Sequence, residues 1–170
     1  YAYSLFMQFK YDEAIPLYEK LIAQGFDNFE SNFILGLCYE DQPDNEKALK
    51  HYQKAVQFKS DNATCLFHLA LVEKAFNMDS LSMAHFNQSL EVSLPKGRAL
   101  RTYKWLADLH FQHHRYADAA RDFELCTLYD EEDNPLNYYN AAQMFIASKN
   151  KLKAKLYLQM FLANANRLED

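Results

Sequence analysis

Two histidines four residues apart, in HFQHHRYAD (His110 to Asp118), have the spacing best suited to chemistry in this 170-residue chain. On one helix His110 and His114 would share a face and could hold a divalent metal. The context argues otherwise, because no HExxH is present and no cysteine lies close by in sequence. His114 also falls where a turn should begin, so the two rings would not converge. Packing for His110 and a solvated turn for His114 is the expectation, with no metal.

Other candidate chemistry is similarly thin. Glu40-Asp41 with Asp44, and Glu131-Glu132-Asp133, could act as carboxylate pairs. Neither has the register of a calcium loop, and both read as solvated turns. No Gly-rich phosphate loop and no GxSxG occur. PKGRALRTYKW, Pro95 to Trp105, mixes Lys96, Arg98, Arg101 and Lys104 with aromatics that could stack on bases. It is one local cluster in a chain of net charge −5. Residues 1–85 carry 7 basic and 12 acidic side chains, and residues 86–170 carry 11 of each, so no basic excess attracts a phosphate backbone. Nucleic acid is not the expected partner, no cofactor is implied and catalysis is not expected.

The elements that must position these residues follow from punctuation. Only three glycines and four prolines interrupt a chain that is 49% hydrophobic, which favours helices with short connections over strands and tight turns. Cys38, Cys65 and Cys126 are an odd number without CxxC spacing and read as small buried hydrophobes. Unpaired cysteines and the lack of a visible signal peptide lean towards a cytoplasmic setting. No run of 18 apolar residues occurs, so no membrane insertion is expected. The chain opens at Tyr1 without Met, in what reads as the middle of a helix, so it is expected to be a piece of a longer one.

A pattern recurs along it. YDEAIPLYEKLIAQGFDN (from Tyr11) is echoed 34 residues later by NEKALKHYQKAVQFKSDN (from Asn45). A small residue followed four places on by a large apolar one appears as Ala14/Tyr18, Ala48/Tyr52, Ser82/Phe86, Ala119/Phe123 and Ala154/Leu158. Ahead of each lies another helical stretch with its own small residue: Ala2, Gly36, Ala70, Ala107 and Ala142. Two antiparallel helices approach closely only where small side chains meet, so each unit reads as a helix A followed by a helix B. Such a hairpin cannot bury its apolar faces alone, and stacking several of them does. The pattern predicts helices near 1–9, 12–24, 28–40, 45–58, 62–76, 79–93, 98–113, 116–128, 135–148 and 151–165. Asp12 and Asp44 are expected as helix caps, and an irregularity is expected at LPKG, Leu94 to Gly97.

Residues 32–62, with Leu35-Gly36, Tyr39, Ala48, Tyr52 and Ala55, resemble the tetratricopeptide repeat family. The resemblance covers the chain as one domain, 1–170, with repeats near 1–28, 29–62, 63–97, 98–133 and 134–170. Repeat three departs from it with Glu73 where an aromatic is usual, and with Ser82 and Ser89 where Ala is usual. The resemblance implies an all-α fold: a right-handed superhelix of about ten antiparallel helices, whose A helices line a concave face that binds peptides. Carried over by phase, the groove residues would be Phe33, Leu37, Phe67, His68, Leu71, Arg101, Lys104, Trp105, Tyr139 and Asn140. One subclass grips a terminal carboxylate with Lys, Asn and Arg at set places. Here only Arg101 matches, so that clamp is not expected. The function implied is a non-catalytic scaffold binding a protein segment through apolar anchors, the large hydrophobics of the groove being partly exposed in the free chain. Alternatives are a secretion-type chaperone shielding an apolar client segment, or a self-association or accessory module of a larger protein, and a homo-oligomer is possible.

Overall fold

Leu, Ala, Lys, Glu and Gln fill the runs between turns, and these residues cost little to hold in a helix. In the computed structural model, which describes residues 1–92 and 95–165, every regular element among the described residues is an α-helix. In chain order they are α1 (Ala2–Met7), α2 (Tyr11–Ala23), α3 (Phe29–Asp41), α4 (Asn45–Phe58), α5 (Ala63–Ala75), α6 (Asp79–Val92), α7 (Lys96–Gln112), α8 (Tyr116–Tyr129), α9 (Pro135–Ala147) and α10 (Lys151–Ala165). Ser93 (the expected end of the sixth helix), Leu94 of LPKG and residues 166–170 of the fifth repeat lie outside the described residues. Among the described residues no helix is long and apolar enough to cross a membrane.

The chain divides into two compact units, Tyr1–Ser93 and Leu94–Asp170. In the first, α1 packs on α2, α3 on α4 and α5 on α6, with further contacts from α2 to α3 and from α4 to α5. In the second, α7 packs on α8 and α9 on α10, and α8 meets α9. The small residues sit at the A–B crossings. Ala14, Ala48, Ser82 and Ala119 are fully buried, and so are Ala70, Ala107 and Ala142 on the A helices. At Gly36 a methyl group would stand 2.5 Å from Cε1 of the Tyr52 ring, so the ring occupies the space that a side chain would take. Ser82 fits its slot because its Oγ donates to the Ala70 carbonyl across the crossing at 2.8 Å. That bond leaves no buried hydroxyl unsatisfied.

Helix starts follow local chemistry. The Asn28, Asn62 and Asn134 side chains accept from backbone N–H groups at 3.0, 2.9 and 3.0 Å and cap α3, α5 and α9. Asp44 caps α4 as expected, accepting from Lys47 N at 3.2 Å. Asp12 does not cap. The N-cap of α2 is Lys10, and Asp12 lies inside the first turn, where a negative charge favours the helix dipole and accepts a hydrogen bond from the Gln42 amide.

The A helices end in a way that composition concealed. Phe9, Asn77, His114 and Lys149 occupy one repeat position and all take left-handed backbone, with φ of 59, 56, 57 and 63°. After each, the next backbone N–H reaches back five residues: Lys10 to Leu5 O, Met78 to Glu73 O, Arg115 to His110 O and Asn150 to Phe145 O, at 2.8–3.0 Å. This is a Schellman ending built without glycine. Lys149 is exposed, so Lys149→Gly should relieve left-handed strain and raise stability by about 0.5–1 kcal/mol, after the entropy cost of glycine. An unchanged or lower denaturation midpoint would show that the turn carries no such strain. Gly36→Ala should lower stability by about 1–3 kcal/mol, overpacking against Tyr52 outweighing roughly 1 kcal/mol of helix propensity gained. Urea titration of both variants checks the pair, and a neutral Gly36→Ala would mean that the Tyr52 ring can move aside.

Candidate functional site

In the first unit the expected site residues come from α3 and α5. Phe33, Leu37 and Glu40, at spacings of four and three, share one face of α3, and His68 and Leu71 share one face of α5. All five are half-buried. Tyr52 reaches them from α4. Fully buried itself, it donates its hydroxyl to Glu40 Oε2 at 2.5 Å. The same oxygen lies 2.9 Å from His68 Nδ1, and the His68 ring stacks on Tyr52 with centroids 5.9 Å apart. Phe33 closes the group, 6.2 Å from the Tyr52 ring and 6.4 Å from His68. Burial first, and then the Glu40 charge, push the Tyr52 phenol far above its usual range, so it stays a donor at any ordinary pH. The face therefore has apolar walls over a hydrogen-bonded polar floor. Beside Leu37 a pocket of about 360 Å³ opens, bordered by Phe6, Tyr11, Leu37, Glu40, Asp41 and His68.

Two expectations need correction here. Phe67 is only 2% exposed, not a partly exposed groove ring. One residue before His68, it is turned about 100° around α5. It packs on Phe86 of α6 at 5.9 Å and edge-on to His68 at 5.5 Å, which makes it core. Glu40 is not a solvated turn carboxylate either, because Tyr52 and His68 hold it in place. Tyr52 was legible only as core, and its role in the floor depends on the hydroxyl's reach to a residue twelve positions earlier.

In the second unit, Arg101 and Lys104 on α7 are exposed. Trp105 on α7 and Tyr139 on α9 are 37% and 39% exposed. Tyr139 also leans on Phe161 of α10, with centroids 5.3 Å apart, and Asn140 beside it is half-buried. Lys96 pairs at the surface with Glu131 at 3.4 Å. His110 does pack, with a polar partner: its Nδ1 lies 2.6 Å from Asp122 Oδ2. Burial raises the Asp122 carboxyl pKa while the His110 hydrogen bond holds it down. His114 stands in the left-handed turn, 3.0 Å from the Tyr116 hydroxyl. Among the described residues no group of three or more His, Cys, Asp or Glu is placed to hold a metal ion. Cys38, Cys65 and Cys126 are free and buried, and burial pushes their thiols up to about 11, 12 and 12, which suppresses the nucleophilic thiolate.

Comparison with known proteins adds the following. Residues 7–79 match the family described as anaphase-promoting complex, cyclosome, subunit 3. The chain is 23% identical over 186 residues to DnaJ homolog subfamily C member 3 of Gallus gallus, covering 99% of this chain and 37% of that protein. It thus spans little more than a third of that curated relative. Among solved structures, that of MamA superposes with a TM-score of 0.78 at 14% identity, over 99% of this chain and 96% of the other. YrrB, described as a TPR protein with an unusual peptide-binding site, gives 0.77 at 16% identity, over 95% and 81%.

Placement of the rings sets different costs for removing them. Phe67→Ala should lower stability by about 3–5 kcal/mol, whereas Leu37→Ala, half-buried, should lose less than about 2 kcal/mol. Thermal or urea unfolding of both reads this directly. Equal losses would place Leu37 in the core and remove it from the site.

Proposed function

This chain is a tetratricopeptide-repeat protein with the fold of that family's solenoids, and on that premise we propose that it is a non-catalytic interaction module holding a peptide segment against its A helices. The observation that carries the reading is the α3–α5 face of the first unit. Phe33, Leu37 and Leu71 are half-buried apolar side chains above a floor already fixed by the Tyr52–Glu40–His68 contacts. Phe33 and Leu37 rest on the core from their inner side, and partly exposed apolar groups around a rigid floor suit anchoring. In the second unit, Trp105 and Tyr139, with Arg101, Lys104 and Asn140 on the same two helices, offer an aromatic and basic contact of the same kind. The partner proposed is a protein or peptide segment with apolar anchors.

Such binding should be carried by burial rather than by charge. Exposed ion pairs contribute about 0–1 kcal/mol each and are screened by salt, while a well-buried anchor contributes 2 kcal/mol or more. A peptide selected on the whole chain from a displayed random library should therefore lose less than about tenfold in affinity when salt rises from 0.05 to roughly 0.5 M. The paired change Leu37→Ala and Leu71→Ala should cost it about 2 kcal/mol or more, with the helical signal retained. Binding indifferent to that pair overturns the reading. A loss of several orders of magnitude in salt would instead bring forward the basic cluster from Lys96 to Lys104.

A further inference from the structure

The pocket beside Leu37 differs chemically from the rest of its face. Two of its walls are aromatic, Phe6 from α1 and Tyr11 from α2, with ring centroids 6.0 Å apart. The Leu37 side chain forms a third wall. Its rim carries two adjacent carboxylates, Glu40 and Asp41, at the last turn of α3. Glu40 is held by Tyr52 and His68, whereas Asp41 is exposed and forms no ion pair among the described residues. The negative field there is felt locally, since the Asp41 charge adds to burial in raising the Tyr11 hydroxyl pKa. On a larger scale, the acidic excess of the chain lies entirely within residues 1–85, with 12 acidic against 7 basic side chains.

We propose that this pocket takes the basic side chain, arginine or lysine, of a peptide segment lying on the α3–α5 face. The inference rests on the peptide-binding reading above and names the chemistry of its anchor. A pocket of about 360 Å³ has room for a long side chain. Its aliphatic stem would lie along Leu37, as the stems of long basic residues do when their heads stay wet. The charged head would meet the faces of Phe6 and Tyr11, which attract a cation through the ring quadrupole, and would lie within reach of the Asp41 carboxylate. An acidic side chain at the same place would meet the like charges of the two rim carboxylates. A purely aliphatic one would leave the rim unmatched.

The test is an NMR titration of the ¹⁵N-labelled whole chain with two acetylated, amidated peptides, Leu-Phe-Arg-Leu and the same sequence with neutral citrulline in place of arginine. The arginine peptide should shift the amides of Leu37, Asp41 and His68 and bind about fivefold tighter than its citrulline twin, the advantage expected of a half-exposed charge contact with an aromatic wall. Asp41→Asn should shrink that advantage to about twofold while leaving the melting midpoint at its wild-type value, since Asp41 is exposed. If both peptides shift these amides with equal affinity, the basic anchor is overturned and the peptide-binding reading stands. If neither peptide moves any amide of α3 or α5, both are overturned together.

Discussion

Everything in this molecule depends on how closely helix A can approach helix B within a hairpin. Where Gly36 faces α4, the space of a missing side chain is filled by the Tyr52 ring, which would lie 2.5 Å from any added methyl. Because the ring fits there, it can be large and still fully buried. A buried phenol in turn requires a partner for its hydroxyl, and Glu40 supplies it from the helix that carries Gly36. His68, from the next A helix, then shares the carboxylate. One crossing thus fixes the core, the register of α3 against α4, and the floor of the candidate site. Packing and site are the same set of atoms seen from two sides.

A second position pair shows how much chemistry the register tolerates. Twelve residues separate Tyr39 from His51, Glu73 from His85, His110 from Asp122 and Phe145 from Tyr157. Each pair joins an A helix to its own B helix. The first and last are ring contacts, at 5.7 and 5.3 Å, and the middle two are acid–histidine contacts, at 2.8 and 2.6 Å. Glu73, the departure in repeat three, meets His85, the same residue type that stacks on Tyr39 as His51 in repeat two. Replacing a stack by a buried polar pair brings little stability, because desolvation offsets most of the attraction. Losing one partner of such a pair, however, strands the other. Both solutions occur along the chain, and a histidine on the B helix serves in either, as a stacked ring at His51 and as a carboxylate partner at His85.

Helix positions were legible from the sequence to within two residues because small-residue spacing and breaker placement are both local. The cap at Asp44 was readable in the same way, since a side-chain acceptor one turn from a free N–H is also a local event. What escaped was non-local or backbone-borne. The orientation of Phe67 turns on a rotation of one residue about α5, and periodicity alone does not distinguish the groove stripe from an adjacent core stripe when both are apolar. The sharing of Glu40 between Tyr52 and His68 joins three helices. The left-handed turns at Phe9, Asn77, His114 and Lys149 left no glycine to announce them. Few glycines signified helical content correctly and concealed how the helices end.

These features make the site's chemistry a consequence of its architecture, and they imply where it can vary. Tyr52, Glu40 and His68 are constrained from the core side, so a change there disturbs the packing beneath the face as well as the face itself. Asp41, Phe6 and Tyr11 stand outside that obligation: they border the pocket, yet none of them is needed to satisfy the buried phenol. The second unit repeats the division, with Leu106 and Ala107 buried while their neighbours Lys104 and Trp105 are exposed. Specificity in a repeat array of this kind can therefore drift at the outer residues of each A helix while the crossing residues one or two positions away stay fixed. An acidic, ring-walled pocket in one unit and a basic, tryptophan-bearing helix in the other sit on the same repeated pattern of crossing residues.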